Sequence, residues 1–313
     1  MTTNNNNVTF GWVMPTAPRG AKEEIEANPN EAVAKHLETI EQHLRVMQPH
    51  IDTVWITDHF QFEKTPILEA ITTLSYLMGR YEDMRFGNLV LAQSFRNPAL
   101  TAKMAANLQA MSGGRFILGI GAGWHDEEYR GYGYEFHSAG VRIEQLDEAV
   151  QVIRAMWTQS PATFKGKYHS IENAECQPQP DPPIPILIGG SGEKKTLRVV
   201  ARHADWWSTG FVSPEEYARK QGVLAGHCEA VGRDPNSIVY NYDAGIRIVE
   251  DTSEIEKRDA YFVEGTPQMV ADELAQFIEL GVTHFQLRIM DFPKLDSLQA
   301  LVEEVIPRLK RET

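Results

Sequence analysis

Short runs rich in β-branched and aromatic residues recur along the chain, each followed by a segment whose apolar residues fall at helical spacing. The runs are 8–14, 53–57, 85–92, 115–120, 184–188, 204–207, 238–249 and 284–290. Strand then helix, repeated, is the alternation of parallel βα units. Apolar stripes mark helical faces: Leu100, Met104, Leu108 and Met111 in one segment, Leu146, Ala149, Val150, Ile153 and Trp157 in another, Leu298, Leu301, Val302, Val305 and Leu309 in the last. Eight such pairs predict an α/β protein of the (β/α)8 TIM-barrel class, with loop insertions at the carboxyl-end face of its strands. Three stretches absorb the surplus: 18–30, with Pro18, Gly20 and Pro29 as helix breakers; 121–137; and 158–183, which holds Gly166, Pro178, Pro180, Pro182 and Pro183. Periodicity does not show whether a sheet closes, so an open doubly wound sheet is the alternative. Residues 1–313 are expected to form one domain.

Composition narrows the function. With 42% hydrophobic and 23% charged residues this is an ordinary globular chain. A net charge of −13 repels polyphosphate backbones and anionic membrane surfaces, which argues against nucleic-acid and membrane partners. Cys176 and Cys228 cannot build a disulfide framework, and neither has a Cys or His neighbour at zinc-ligand spacing. Met1-Thr2-Thr3 and the run Asn4 to Asn7 lack the basic start and apolar core of an export signal, and no apolar stretch of about eighteen residues occurs. A cytoplasmic location is expected.

In such a barrel the chemistry sits where strands end. The second run leads into Thr57-Asp58-His59-Phe60-Gln61, an acid beside an imidazole. Asp58 can orient or tune the ring, and histidine is the side chain type best suited to proton transfer near neutral pH; Asp58 as a helix or turn cap beside a plain loop histidine is the blander alternative. The fourth run leads into Gly119-Ile120-Gly121-Ala122-Gly123-Trp124-His125. Alternate glycines let backbone approach a flat ligand, or serve only a tight turn; the spacing is not a dinucleotide fingerprint. The fifth leads into Gly189-Gly190-Ser191-Gly192 and a helix start after Glu193-Lys194-Lys195, which offers free N–H groups and a positive dipole end to a phosphate. Leu89-Val90-Leu91-Ala92 in the third run is too apolar for acid-base work. No HExxH occurs, His125-Asp126-Glu127-Glu128 has no zincin spacing, and Ser191 lacks a nucleophile elbow, so no metal site is expected.

The stretch Gly113-Gly114-Arg115-Phe116-Ile117-Leu118-Gly119-Ile120-Gly121-Ala122-Gly123-Trp124-His125-Asp126-Glu127-Glu128-Tyr129, with Tyr132-Gly133 beyond it, resembles the signature of the luciferase-like monooxygenase superfamily. Pro185-Ile186-Leu187-Ile188-Gly189-Gly190-Ser191-Gly192 and Ala201-Arg202-His203-Ala204-Asp205 resemble its second signature, and Phe95-Arg96-Asn97-Pro98-Ala99 and Gly265-Thr266-Pro267 fall in the same order. Within the superfamily the chain looks most like the oxidoreductases that use the deazaflavin coenzyme F420. The resemblance implies a planar ring at the strand ends, with Asp58, His59, Leu89, Val90, Ala92, Gly121, Ala122, Gly123 and Trp124 around it and Gly189, Gly190, Ser191 and Gly192 at its phosphate. It implies that His59 handles the proton and that a cis peptide not preceding proline falls at Leu89–Val90. The chain departs from the family's sugar-phosphate dehydrogenases at two positions: Glu63 stands where they carry an active-site tryptophan, and Trp124 where they carry a catalytic glutamate. A carboxylate moved to Glu63, or a pocket walled by Trp12, Phe62 and Trp124, are the two expectations that follow.

The first functional expectation is hydride transfer between coenzyme F420 and a small organic substrate, an alcohol or carbonyl, an imine or an activated alkene. The alternative is an FMN-dependent monooxygenase fed by a separate reductase. A third, from another class, is a barrel that carries a ligand without redox chemistry, its glycines purely structural. The resemblance also implies a homodimer.

Overall fold

The computed structural model describes residues 8–255 and 260–311; the segment 1–7, read above for an export signal, lies outside them. Eight parallel strands make a closed barrel: β1 (Thr9–Met14), β2 (Thr53–Ile56), β3 (Arg85–Asn88), β4 (Phe116–Gly121), β5 (Ile186–Gly189), β6 (Trp206–Gly210), β7 (Val239–Ile248) and β8 (Val282–Ile289). Closure is explicit in the register: Thr9 on β1 pairs with His284 on β8, and Val239 on β7 pairs with Trp206 on β6. An open doubly wound sheet is thereby excluded. The predicted strands are all present, their ends shifted by at most a few residues, but the run 85–92 is interrupted. After Asn88 the Leu89–Val90 peptide is cis, and the two-residue strand Leu91–Ala92 then pairs separately with β4.

Side-chain alternation divides the core in two. Val13, Trp55, Leu89, Ile117, Leu187 and Trp206 form one cluster inside the barrel, while Phe10, Trp12 and Met14 belong to the larger cluster under the helices. Trp12, expected in the pocket wall, is therefore on the wrong face of β1: it is fully buried, stacked at 5.9 Å on His43 of the helix Pro29–Met47. The amino-end floor of the barrel carries a polar cluster. There the Trp55 indole donates to His284 Nε2 at 3.0 Å and Thr9 Oγ1 sits 2.7 Å from Nδ1. Burial pushes the His284 pKa down to about 4.

Helix starts follow from local chemistry. Asn97-Pro98, Ser213-Pro214 and Thr266-Pro267 each put a side-chain acceptor at the cap and proline at the first helical position, where its missing N–H has no partner to lose. Pro29 also takes the first helical position, without a side-chain cap from Asn28, and opens Pro29–Met47 where the sequence suggested a breaker. The stripe Leu100, Met104, Leu108, Met111 is only partly right. Helix Pro98–Ser112 buries Ala102, Ala105, Ala106 and Leu108, and leaves Leu100 and Met111 53% and 75% exposed. Small side chains let this helix approach the barrel and the helix Ala139–Thr158 closely, while Leu100 and Met111 are turned outward. The other two stripes are buried as expected.

Two insertions lie at the carboxyl ends of strands and carry short helices, Lys22–Ala27 after β1 and Asp126–Gly131 after β4. The third, 158–183, corrects the expectation, because it joins a helix to β5 and so starts and finishes at the amino-end face. It forms an antiparallel hairpin, Ala162–Lys165 with Ser170–Ala174, lying along the helix Ala139–Thr158. At the hairpin turn the peptide N–H groups of Lys167, Tyr168 and His169 donate to Glu148 of that helix at 2.7, 2.7 and 2.9 Å. Among the described residues no helix is long and apolar enough to cross a membrane.

Candidate active site

The exit of β2 is fixed by two carboxylates with different duties. Asp58, 4% exposed, accepts from both terminal nitrogens of Arg96 at 2.8 Å each and from the Ala92 N–H at 3.0 Å. Its charge is fully committed, so it works as a strut between the β2 exit and the segment after Val90 while one edge of it faces the cavity. It is neither a helix cap nor a free acid. Glu128, 1% exposed, comes from the short helix after β4. Its carboxylate accepts from Gln61 N–H at 3.1 Å, from Phe60 N–H, and from His59 Nδ1 at 2.9 Å. A carboxylate can only accept here, so the imidazole proton is held on Nδ1 and the Nε2 lone pair is left for a reacting partner. The His59 ring is boxed by Phe62, Trp124 and His125, with centroids at 4.6, 5.8 and 6.2 Å.

The glycines acquire a physical reason. Val90, between the cis peptide and the Leu91–Ala92 strand, projects among β4 and β5: a Cβ at Gly121 would meet Val90 Cγ2 at 2.7 Å, and one at Gly189 would meet Val90 Cγ1 at 2.9 Å. These two glycines therefore clear room for Val90, which backs the cavity. Gly123 needs its freedom as well, with φ at +75°. The loop after β5 is pinned by the Trp207 indole, which donates to Gly190 O at 2.9 Å, and by Gly190 N–H donating to Ser208 O at 3.0 Å. Three turn residues follow, and the helix Thr196–His203 begins with no side-chain cap.

These pieces enclose a cavity of about 430 Å³, lined by Asp58, His59, Leu89, Val90, Ala92, Gly121, Ala122, Gly123, Trp124, Gly189 and Gly190 among others. Ser191 and Gly192 do not line it; the wall continues at Thr196 instead. A wider cavity of about 810 Å³ adjoins it, with Phe62, Phe211, Phe262, Arg288 and Met290 on its walls. His59 and His125 line both. Glu63 stands apart from the smaller cavity: it lies on the rim of the wider one, with φ at +50°, its side chain largely exposed and ion-paired with Lys22. Trp124 lines the smaller cavity yet is 66% exposed. Among the described residues no group of three or more His, Cys, Asp or Glu is placed to hold a metal ion.

Sequence reasoning missed Glu128, Arg142, Thr196, Ser208 and the pair Asp243–Arg288. Asp243, in the smaller cavity, accepts from Arg288 Nε and Nη2 at 2.7 and 2.9 Å, and Arg288 faces the wider one. The partners of Glu128, Ser208 and Asp243 lie tens of residues away; Glu128 and Thr196 stood inside motifs that had been singled out, but neither had been given a role.

Comparison with known proteins agrees with this architecture. The family described as luciferase-like monooxygenase matches residues 8–260. An F420-dependent glucose-6-phosphate dehydrogenase of Amycolatopsis mediterranei (strain U-32) is 31% identical over 177 residues, 55% of this chain and 52% of that one, so the chain is matched to about half of that relative's length. One of the same name from Microbacterium testaceum (strain StLB037) is 26% identical over 302 residues, 83% of this chain and 89% of that one. A solved structure of an F420-dependent secondary alcohol dehydrogenase, in complex with an F420-acetone adduct, superposes with a TM-score of 0.79 at 21% identity, covering 97% of this chain and 99% of that chain, which shows a shared fold.

Proposed function

The chain belongs to the luciferase-like monooxygenase family, and from that premise we propose that it is an oxidoreductase that uses coenzyme F420 to move hydride to or from a small organic substrate. The observation that carries this reading is the His59–Glu128 pair on the boundary of the two cavities. Relatives named as F420-dependent dehydrogenases support the cofactor. So does the fit of the smaller cavity, a slot backed by Val90, lined by small residues at Ala92, Gly121, Ala122 and Gly123, and walled at Gly190 and Thr196 by an uncapped helix start. The apolar, glycine-lined part suits the ring and the helix start suits the phosphate.

When bound, the deazaflavin supplies a two-electron acceptor or donor of hydride. Everything else is the work of this chain. In oxidation of an alcohol, His59 Nε2 takes the hydroxyl proton; with the hydride leaving the same carbon, the product is the carbonyl and the electron pair is accounted for. Glu128 holds the imidazole in the tautomer that accepts at Nε2 and balances the imidazolium that forms. Phe62 and Trp124 pack against the His59 ring and limit its orientations. In this reading Glu63, far out on the rim with Lys22, takes no part in proton transfer. Cytoplasmic location and a homodimer belong to the same proposal.

The competing reading is an FMN-dependent monooxygenase with a separate reductase, which the family's name also permits. A positioned acid-base pair favours the first, because alcohol-carbonyl interconversion requires a proton to move with each hydride. Equilibrium titration of the protein with coenzyme F420 and with FMN decides between them. Tight binding of F420, at micromolar concentrations or below, is expected; tight FMN binding with no response to F420 overturns the proposal.

A further inference from the structure

Arg142 is placed where a buried cation has no evident reason to be. It is the fourth residue of helix Ala139–Thr158, close to the positive end of the helix dipole, and only 8% exposed. Among the described residues it has no carboxylate partner. Its Nε–H donates to Gly123 O at 3.3 Å and its Nη1 to His137 O, and the guanidinium lies 4.1 Å from the centroid of the Phe136 ring. Neutral carbonyls and a ring face hold it in place without balancing its charge, and a buried charge without a counter-charge is costly.

Arg142 nevertheless lines the smaller cavity, as do Gly190 and Thr196. The two helix starts are neighbours in space, since Lys195 Nζ comes within 3.1 Å of where a Cβ on Gly140 would lie. The carboxylates lining the same cavity cannot serve Arg142, because Asp58 is taken by Arg96, Glu128 by His59 and Asp243 by Arg288. One helix start without a side-chain cap and one guanidinium without a counter-charge thus line the same cavity.

We infer that Arg142 is an anion-binding residue, the charged half of a phosphate clamp whose other half is the Gly190–Thr196 turn. The ligand class is a phosphate ester on an otherwise apolar ring-bearing molecule; this deepens the cofactor reading above and rests on it for the identity of the ester, though not for the anion. The glycine loop supplies shape and N–H groups, and Arg142 supplies the formal charge.

The test deletes the phosphate from the ligand as well as the arginine from the protein. Wild type, Arg142→Lys and Arg142→Met are titrated with coenzyme F420 and with its phosphate-free deazaflavin chromophore, and with FMN and riboflavin. Their thermal unfolding is also followed with and without inorganic phosphate. Arg142→Met is expected to weaken the phosphate-bearing form by about ten- to a hundredfold, the usual range for a charge-assisted hydrogen bond, with the phosphate-free form within about twofold. Arg142→Lys should recover part of the loss, and only proteins that keep a cation should be stabilised by phosphate. Equal weakening of both forms, or no weakening, means that Arg142 only braces Gly123 and His137, and overturns the inference while leaving the cofactor reading intact. Wild type that binds no ring compound yet gains stability from phosphate, a gain lost in Arg142→Met, overturns the cofactor reading and leaves the anion site standing. Wild type that prefers no phosphate form and gains nothing from phosphate overturns both.

Discussion

His59 Nδ1 lies 2.9 Å from Glu128 Oε2, a contact between residues 69 positions apart that also ties the β2 exit to the insertion after β4. Because the same carboxylate receives the Phe60 and Gln61 N–H groups, the ring and the backbone that carries it are held by one side chain. His59→Ala is expected to lower turnover by about 10²–10⁴-fold, the span of general acid-base catalysis, with cofactor affinity within about twofold. Glu128→Gln should lower it less, by about tenfold to a hundredfold, and change the pH profile, since an amide can hold the ring in either tautomer. Steady-state kinetics with a dissociation constant measured alongside checks both; unaltered turnover in His59→Ala removes it from the mechanism.

Glu63 offers a contrast that the same assay reads. Exposed and paired with Lys22 on the rim, it should tolerate Glu63→Gln with turnover and stability close to wild type, as exposed ion pairs usually do. A loss comparable to that of His59→Ala would restore it to the chemistry.

Much of this was legible in the chain because the informative neighbours are close in sequence. Each βα unit writes its own period, and Asp58-His59 and the two glycine loops sit at the ends of readable strands. What escaped depends on orientation. Glu128 ends an acidic run that was weighed only as a metal motif, and it is buried because the short helix turns Tyr129 and Glu128 inward together. Trp12 was misplaced for the same kind of reason: an apolar run shows a strand without showing which of its two faces looks into the barrel. Arg142 and Asp243 had no signal at all, since a lone charge in a helix or strand is ordinarily at the surface.

Val90 should be energetically coupled to the glycines that make room for it. Gly189→Ala is expected to destabilise the fold by about 1–3 kcal/mol, because the new methyl falls 2.9 Å from a stiff β-branched side chain. Adding Val90→Ala should recover a measurable part of that loss. Urea denaturation of the two single variants and the double closes the cycle, and strict additivity would show that the contact carries no energy.

Replacing Arg96 by Met should be among the most destabilising single changes, at about 3–5 kcal/mol, since it strands a buried Asp58 carboxylate. Arg96→Met with Asp58→Asn should be the more stable of the two. Thermal and denaturant unfolding rank them.

His284 predicts an acid sensitivity. Its folded pKa is depressed from 6.5 to about 4 by burial, so the stability it contributes is fully present above pH 6.5 and is lost as the pH falls toward 4, where the unfolded chain takes up a proton that the folded one refuses. The loss across that window is about 3 kcal/mol. Denaturation midpoints between pH 7 and pH 4 should fall less steeply in His284→Asn than in wild type; parallel curves would assign the acid lability elsewhere.

The hairpin within 158–183 departs from the face opposite the cavity, but its turn is latched to Glu148, less than two helical turns along from Arg142 on the same helix. An ornament of the barrel's far side is in this way mechanically continuous with its working end. Lengthening or shortening that turn, a change that sequence comparison would file as a harmless loop polymorphism, should be felt as a shift in how firmly the cavity grips an anion.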